Sequence, residues 1–231
     1  MNICIIPARG GSKRIPRKNI KLFCGRPMIA YSIKSAKEAN IFDHIIVSTD
    51  DDEIAEISIK YGASVPFIRP KKISDDFSTS TDVIEHAYAW SEANLGPVEL
   101  TCALYATAPF TSSSDILNAY NEIKNHNNCQ VVFPIVEFNF PIQRAIKLSN
   151  DGCLGMFQPD HLKTRSQDLE KAYHDAGQFY WMKSDFIGSG VSPFSEIARP
   201  IIIPHYRVQD IDTEDDWIRA ELIFKSLLAR N

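Results

Sequence analysis

The segment ICIIPARGGSKRIPRKN, residues 3–19, joins two chemically opposite halves. Its first four residues, Ile3 to Ile6, are apolar without the alternation of a strand that faces water on one side. Such a run predicts a strand covered on both faces, as in parallel sheets with helices on each side. The second half carries five cations, Arg9, Lys13, Arg14, Arg17 and Lys18, within ten residues and beside two glycines. The chain as a whole is acidic, with a net charge of −4, so this one-sign cluster points to a local anion. A loop leaving the C-terminal end of the first strand is where ligands bind in open α/β sheets. Gly10 and Gly11 allow a tight turn and close backbone approach, and their N–H groups, with that of Ser12, suit an anion-binding nest. A polyphosphate fits this chemistry; a solvated basic turn is the plainer alternative. The spacing matches neither G-x-x-x-x-G-K-[ST] nor G-x-G-x-x-G.

Composition bounds the rest. A chain of 231 residues, 44% apolar and 23% charged, reads as a globular protein of one large domain, with or without a small insertion. The net negative charge argues against general binding to nucleic acid or anionic membranes. Arg9 interrupts the first apolar run, and no run approaches the roughly 18 apolar residues that a membrane span needs. The expected location is the cytoplasm, with no membrane partner. Five scattered cysteines form no C-x-x-C pair, and the expectation is reduced, mostly buried thiols. The six histidines show no H-E-x-x-H spacing.

The first half then alternates strand and helix. Ile29, Ile33 and Ala36 form a helical apolar stripe after Pro27. HIIVSTD is a second buried strand ending at Asp50, which is placed to reach a ligand or to cap a helix. DDEIAEISIKYGA is a helix with acids at its start and Gly62 as its stop. SVPFIRP reads as a short strand, and the polar loop KKISDDFSTST leads into a helix near 82–94. VELTCALYAT, SSSDILNAYNEIKNH and CQVVFPIVEF continue as strand, helix, strand. This order predicts a mainly parallel sheet in an α/β layered fold. The rhythm breaks after Phe138: RAIKLSNDGCLGMF looks like a hairpin around Asn-Asp-Gly. Residues 139–176 therefore read as an insertion, with the core resuming at QFYWM. A strand, an acidic turn and an amphipathic helix close the chain.

The string IIPARGGSKRIPRKNI resembles the signature of the cytidylyltransferases that activate nine-carbon, sialic-acid-like sugars. Relatives acting on the eight-carbon sugar Kdo carry a Ser-Thr-Arg-Leu-Pro type of loop, so Gly10-Gly11-Ser12-Lys13 leans to the nine-carbon branch. VSTDDDEIA, FIRP, SDDFSTST, ATAPF, RSQDL and DIDTEDD follow in the family's order, so the resemblance spans essentially the whole chain. It implies a Rossmann-like nucleotide-diphospho-sugar transferase fold over 1–231, with 139–176 as a dimerisation and sugar-site insertion. Within the family, YHDAGQFYW resembles the pseudaminic acid branch. The N-acetylneuraminic branch typically has Asn-Gly where Asp175-Ala176-Gly177 stands, and Gln-Pro where Tyr105-Ala106 stands. It also tends to Pro-Leu-Lys where this chain has Pro141-Ile142-Gln143.

The implied reaction converts CTP and a free nonulosonic acid, pseudaminic acid by this reading, into the CMP-sugar and pyrophosphate, a step of surface-glycan biosynthesis. Direct attack of the anomeric hydroxyl on the α-phosphorus asks the protein mainly to align reactants and neutralise charge. In the segment QDIDTEDD, Asp210 and Asp212 stand two apart, so in an extended stretch both carboxylates share a face. Two hard oxygen donors beside phosphate suit Mg2+, and the pair matches the family's metal ligands. Thr213, Glu214, Asp215 and Asp216 read instead as helix capping. The resemblance places Pro7, Ala8 and Arg9 beside cytosine and ribose, and Gly11, Ser12, Lys13, Lys18 and Asn19 toward the triphosphate. Arg9, Lys13 and Lys18, with the two aspartates, form the implied catalytic set. Arg69, Ser78, Thr79 and Ser80 help hold the base and ribose, with ordinary capping as the alternative for Ser80 and Thr81. Arg14 and Arg17 are expected to be exposed.

For the sugar carboxylate, Arg165 is the best match and Arg144 the second. Both fall in the insertion, which in this family crosses to a partner subunit, so a homodimer with sites completed in trans is expected. Tyr105, Gln167, Tyr173, Asp175 and Phe179 are the remaining sugar contacts implied, although an aromatic strand such as FYWM serves equally well as core. His174 is the only histidine inside a site motif. Four alternatives stay open. They are the same chemistry on N-acetylneuraminic or legionaminic acid, a sugar transferase using an Asp-x-Asp metal pair, a nucleotide-binding protein without turnover, and, weakest, a nucleic-acid site. The last would need a wide basic face with interleaved aromatics.

Overall fold

The computed structural model describes residues 1–75 and 78–229. Asp76 and Phe77, within the stretch SDDFSTST, and the last two positions of the expected 1–231 span lie outside the described residues. The chain runs through β1 (Asn2–Pro7), a small ladder of β2 (Leu22–Phe23) and β3 (Arg26–Pro27), α1 (Met28–Ala39), β4 (His44–Ser48) and α2 (Asp52–Tyr61). It continues with α3 (Ser80–Leu95), β5 (Leu100–Leu104), α4 (Ser113–Asn125), β6 (Val131–Glu137), β7 (Ile146–Leu148) and β8 (Leu154–Met156). The last elements are β9 (Tyr173–Asp175), β10 (Phe179–Lys183), β11 (Ala198–Ile202) and α5 (Glu214–Leu228).

The unbroken apolar run behaves as its chemistry requires. Ile3, Cys4, Ile5 and Ile6 are completely buried in β1, each isoleucine contributing about 1.5–3 kcal/mol of burial. Alternation divides them between two layers. Ile3 and Ile5 pack with Ile84 and Ala87 of α3, whereas Cys4 and Ile6 pack with the apolar stripes of α1 and α4. Beside β1, β4 and β5 pair in parallel on opposite edges. The sheet order is β11-β6-β10-β5-β1-β4, with β9 adding to β6. Only β9 and β10 run against the other five strands. Because the chain passes from β1 to β4 on one side and then to β5 on the other, a crevice opens at the C-terminal end of β1.

Local chemistry sets the helix starts. Asp51 caps α2, accepting from the Ile54 N–H at 3.0 Å, and Gly62 ends that helix at φ +95°. Thr79, Ser112 and Thr213 open α3, α4 and α5 with the same capping box, each paired with an aspartate three residues on. A third apolar cluster centres on Phe23, ringed edge-on by Tyr31, Phe110, Trp217 and Phe224. This cluster also buries Ile15 of the basic loop and Ile211 of the acidic segment.

Two expectations change. SVPFIRP is no strand: Ser64 and Ile68 form only isolated bridges, to Ile46 and Thr49. Pro66 and Pro70 lack the N–H donors that a continuous ladder uses. The excursion read as 139–176 rejoins the sheet at Tyr173, through β9, before QFYWM. The polar triplet Tyr-His-Asp carries no apolar alternation to announce that strand. The hairpin itself is present as β7 and β8, with Gly152 in the turn at φ +82°. Cys4, Cys102 and Cys129 are buried, Cys24 is partly exposed and Cys153 is exposed, all as free thiols. Among the described residues no helix is long and apolar enough to cross a membrane.

Candidate active site

The crevice at the end of β1 holds a cavity of about 530 Å³ walled by three stretches of chain. The first is the basic loop, through Pro7, Arg9, Ser12, Lys13, Lys18 and Asn19. The second follows α2 and supplies Arg69, Ser78, Thr79 and Ser80. The third is the loop after β5, with Tyr105, Ala106 and Thr107.

The basic loop is pinned by the junction of β4 and α2 and by contacts along the cavity wall itself. Gly10 donates its N–H to Asp50 Oδ1 at 3.0 Å, and a Cβ at Gly10 would lie 2.7 Å from Asp51 Oδ2. Glycine is therefore required by this close approach. Gly11, by contrast, is exposed with open space where its Cβ would be. Arg17 is not simply exposed: in a left-handed conformation it grips Asp51 at 2.5 and 2.8 Å and Glu53 at 2.5 Å. That pairing holds the Asp51 carboxyl below its usual range. Asn19 donates to the Arg9 carbonyl at 2.9 Å, and Arg9 reaches the Asp75 carbonyl at 3.1 Å. Ser78 is held on Asp75 through its N–H and hydroxyl, at 2.8 and 2.7 Å.

Arg69 differs from these exposed cations. It is only 5% exposed, yet it lines the cavity. Its Nε and Nη2 have no hydrogen-bond partner among the described residues, and Asp50 Oδ1 stands 3.6 Å from Nη2, beyond hydrogen-bond distance. Burial lowers its pKa, against the opposing effect of Asp50. Asp50 offsets part of the charge as an ion pair, but two desolvated N–H groups without hydrogen bonds are costly, and an anion in the cavity would satisfy them.

The acidic segment meets the loop from the other side. Asp212 pairs with Arg14 at 2.8 Å and with Lys18 at 3.3 Å, and Lys18 also donates to the Ile211 carbonyl at 2.7 Å. Asp210 is exposed and lies outside these contacts. Ile211 is buried between them, with Asp210 exposed and Asp212 partly exposed, and neither aspartate lines the cavity. Two hard oxygen donors beside the cations Arg14 and Lys18 have the donor chemistry that Mg2+ takes, completed by water. No cluster of three or more metal-ligating side chains exists among the described residues. Behind the pair, Asp216 closes the α5 capping box and accepts from the Asp212 N–H at 3.3 Å. The Thr213 hydroxyl and N–H hold the Asp216 pKa down at about 2.

Other expected residues fall elsewhere. Ala8 is buried behind the wall, donating its N–H to the Ser48 carbonyl at 2.9 Å. Phe179 is fully buried in the core. Strand alternation turns it and Trp181 toward α1 and α4, so it is packing and not a sugar contact in this structure. Its neighbour Tyr180, which sequence reasoning passed over, lines a second cavity of about 330 Å³ that shares Ser80 and Tyr105 with the first. Asp175 accepts from the Tyr180 hydroxyl. Tyr173 is exposed on β9. Arg144 donates to Ser166 at 3.1 Å and Arg165 pairs with Asp168 at 2.7 Å. These two arginines and Gln167 are exposed on the excursion and line neither cavity.

Residues 3–195 match the family model described as Cytidylyltransferase. The chain is 45% identical over 230 residues to a Pseudaminic acid cytidylyltransferase of Campylobacter jejuni, covering 97% of this chain and 96% of that one. It is 29% identical over 231 residues to the CMP-N,N'-diacetyllegionaminic acid synthase of Legionella pneumophila, covering 96% of each. Among solved structures it is similar to CMP:2-keto-3-deoxy-manno-octonic acid synthetase complexed with CTP. That match has a TM-score of 0.72 at 14% identity and covers 97% of this chain and 98% of the other. At that identity the likeness speaks for the fold, a Rossmann-like mainly parallel sheet flanked by helices.

Proposed function

From the chain's membership of the cytidylyltransferase family, we propose that it joins CTP to pseudaminic acid, giving CMP-pseudaminic acid and pyrophosphate. The observation that carries this reading is Arg69, a buried guanidinium with unsatisfied nitrogens in the wall of a cavity edged by Arg9, Lys13 and Lys18. Those cations bind the triphosphate and spread the charge that builds on the departing pyrophosphate. Asn19, the Ser12 hydroxyl and the Gly11 N–H orient it, since the expected nest is largely spent: the Gly10 N–H is held by Asp50 and the Ser12 N–H by the Gly10 carbonyl. Arg69, Ser78, Thr79 and Ser80 hold the nucleoside. The anomeric oxygen bonds to the α-phosphorus as its proton passes to water, and the bond from that phosphorus to the bridging oxygen breaks, the electron pair leaving with pyrophosphate. Asp210 and Asp212 would hold Mg2+, which supplies Lewis-acid screening of the phosphates.

The nine-carbon acid enters beside Tyr105. Arg144 and Arg165 are exposed in a single chain, so in this reading they serve the site of a partner subunit in a homodimer. The reaction runs in the cytoplasm, where CTP is made. The first test measures pyrophosphate release from CTP and Mg2+, with pseudaminic and N-acetylneuraminic acid offered in parallel. Mass spectrometry then identifies the CMP-sugar. Release with pseudaminic acid alone is expected. Release with the neuraminic sugar alone keeps the chemistry and overturns the substrate. No release with either, from folded protein that binds CTP, overturns the proposal.

A further inference from the structure

The junction of β9 and β10 places an acid where it reaches no cavity directly. Asp175 Oδ1 accepts the Gly177 N–H at 2.8 Å, closing a turn in which Gly177 takes φ +61°. Its other oxygen accepts the Tyr180 hydroxyl. The half-buried Tyr180 ring is packed at 5.2 Å against Phe133 and at 6.0 Å against Tyr105. Burial, then the neighbouring Asp175 carboxylate, drives the Tyr180 phenol far above its ordinary pKa, so it stays protonated. Tyr105 stands beside both Ser80 and Tyr180. Tyr105 lines both cavities and so joins the nucleotide cavity to the one that Tyr180 lines.

A phenol oxygen carries one donor and accepts through its lone pairs. With its one O–H donated to Asp175, what Tyr180 has left to offer is acceptor capacity. We propose that Asp175 is a positioning residue: it fixes Tyr180 as a hydrogen-bond acceptor in the second cavity, selecting a sugar whose substituent presents an N–H or O–H donor there. The rest of the wall fits an acylamino group. Ile84, Met182, Ile187 and Val191 give apolar surface for an acyl chain beside the polar tip of Tyr180, with Ser80, Thr81, Glu85 and Tyr105 as the other polar side chains of the wall. The inference rests on the proposed function, because a nonulosonic acid is the substrate it orients.

The test compares steady-state kinetics of the wild type with Asp175→Asn, Tyr180→Phe and the double variant, varying sugar and CTP separately. Asn at 175 cannot act as an anionic acceptor and offers its own N–H, so the Tyr180 proton is no longer committed. Each single variant should raise the KM for pseudaminic acid about five- to tenfold, the upper scale of one neutral hydrogen bond. The KM for CTP should stay within about twofold, and the double variant should be no worse than the poorer single one. Asp175→Glu should recover part of the loss. Equal rises in both KM values, additive effects, or an Asp175→Asn variant indistinguishable from wild type each overturn the positioning role alone. A wild type inactive with every nonulosonic acid overturns the proposed function, and this inference with it.

Discussion

At the residue scale Arg69 is the most informative side chain. Its desolvation is not repaid by a hydrogen bond to Asp50, which stands 3.6 Å away, so in the free protein it is a cost held in reserve for the ligand. Arg69→Met keeps the stem volume and removes the charge. The apoprotein should keep its stability within about 1 kcal/mol or gain, while CTP should bind roughly 10–100-fold more weakly through the lost charge-assisted bonds. Thermal unfolding without nucleotide and calorimetric titration with CTP read the two effects separately. A strongly destabilised apoprotein would show that Arg69 is a structural member, and unchanged CTP affinity would remove it from the site. Sequence named Arg69 through the family resemblance and set Arg14 and Arg17 aside, but it gave no physical reason for that ranking. Burial decides that, and burial depends on which loop folds over which.

At the element scale the basic loop is held by the start of α2 and by the cluster around Phe23. The Arg17 pairing with Asp51 and Glu53 fastens the loop, and Asp51 also caps the helix. Asp51 has a folded pKa below its unfolded value of about 3.9, so its contribution is complete above that value and disappears as pH falls through the folded one. Arg17→Met should lower the melting temperature by about 2–4 °C at pH 7, the equivalent of roughly 1 kcal/mol in a chain of this size. That gap should hold down to about pH 5 and close below about pH 4. A gap that widens on acidification would contradict this role. Most elements were legible, because β1, the α1 stripe and the capping acids are local signals. What was not legible is informative: β9 is a strand only through its pairing with β6, and the 64–68 stretch cannot become one past its prolines. For the site, the loop and the Asp210–Asp212 pair were visible as composition. The Asp50 and Asp51 anchors and the exchange of Phe179 for Tyr180 depend on which face of a strand meets the cavity, which period-two alternation leaves undecided.

At the scale of the whole molecule, the excursion between β6 and β9 is the part that one chain leaves incomplete. In its hairpin Leu148 stands opposite Leu154, and each is 71% exposed, with Ile146 on the same face. Phe140 reaches 84% exposure on the same excursion. A two-stranded hairpin is marginal in water by itself, and an apolar face of this kind marks an interaction surface. A second copy covering both excursions would bury these side chains and bring Arg144 and Arg165 to a neighbouring site, in keeping with the homodimer we propose. Light scattering after size exclusion should give twice the chain mass at micromolar concentration. Replacing Leu148 and Leu154 together by Asp should give a folded monomer, since neither leucine belongs to the core. That monomer should bind CTP within about twofold of wild type, because the cavity beside β1 is built within one chain, yet lose turnover of the sugar by about a hundredfold or more if two charged contacts come from the partner. A monomeric wild type, or a monomeric variant with full turnover, would return both arginines to the chain's own surface.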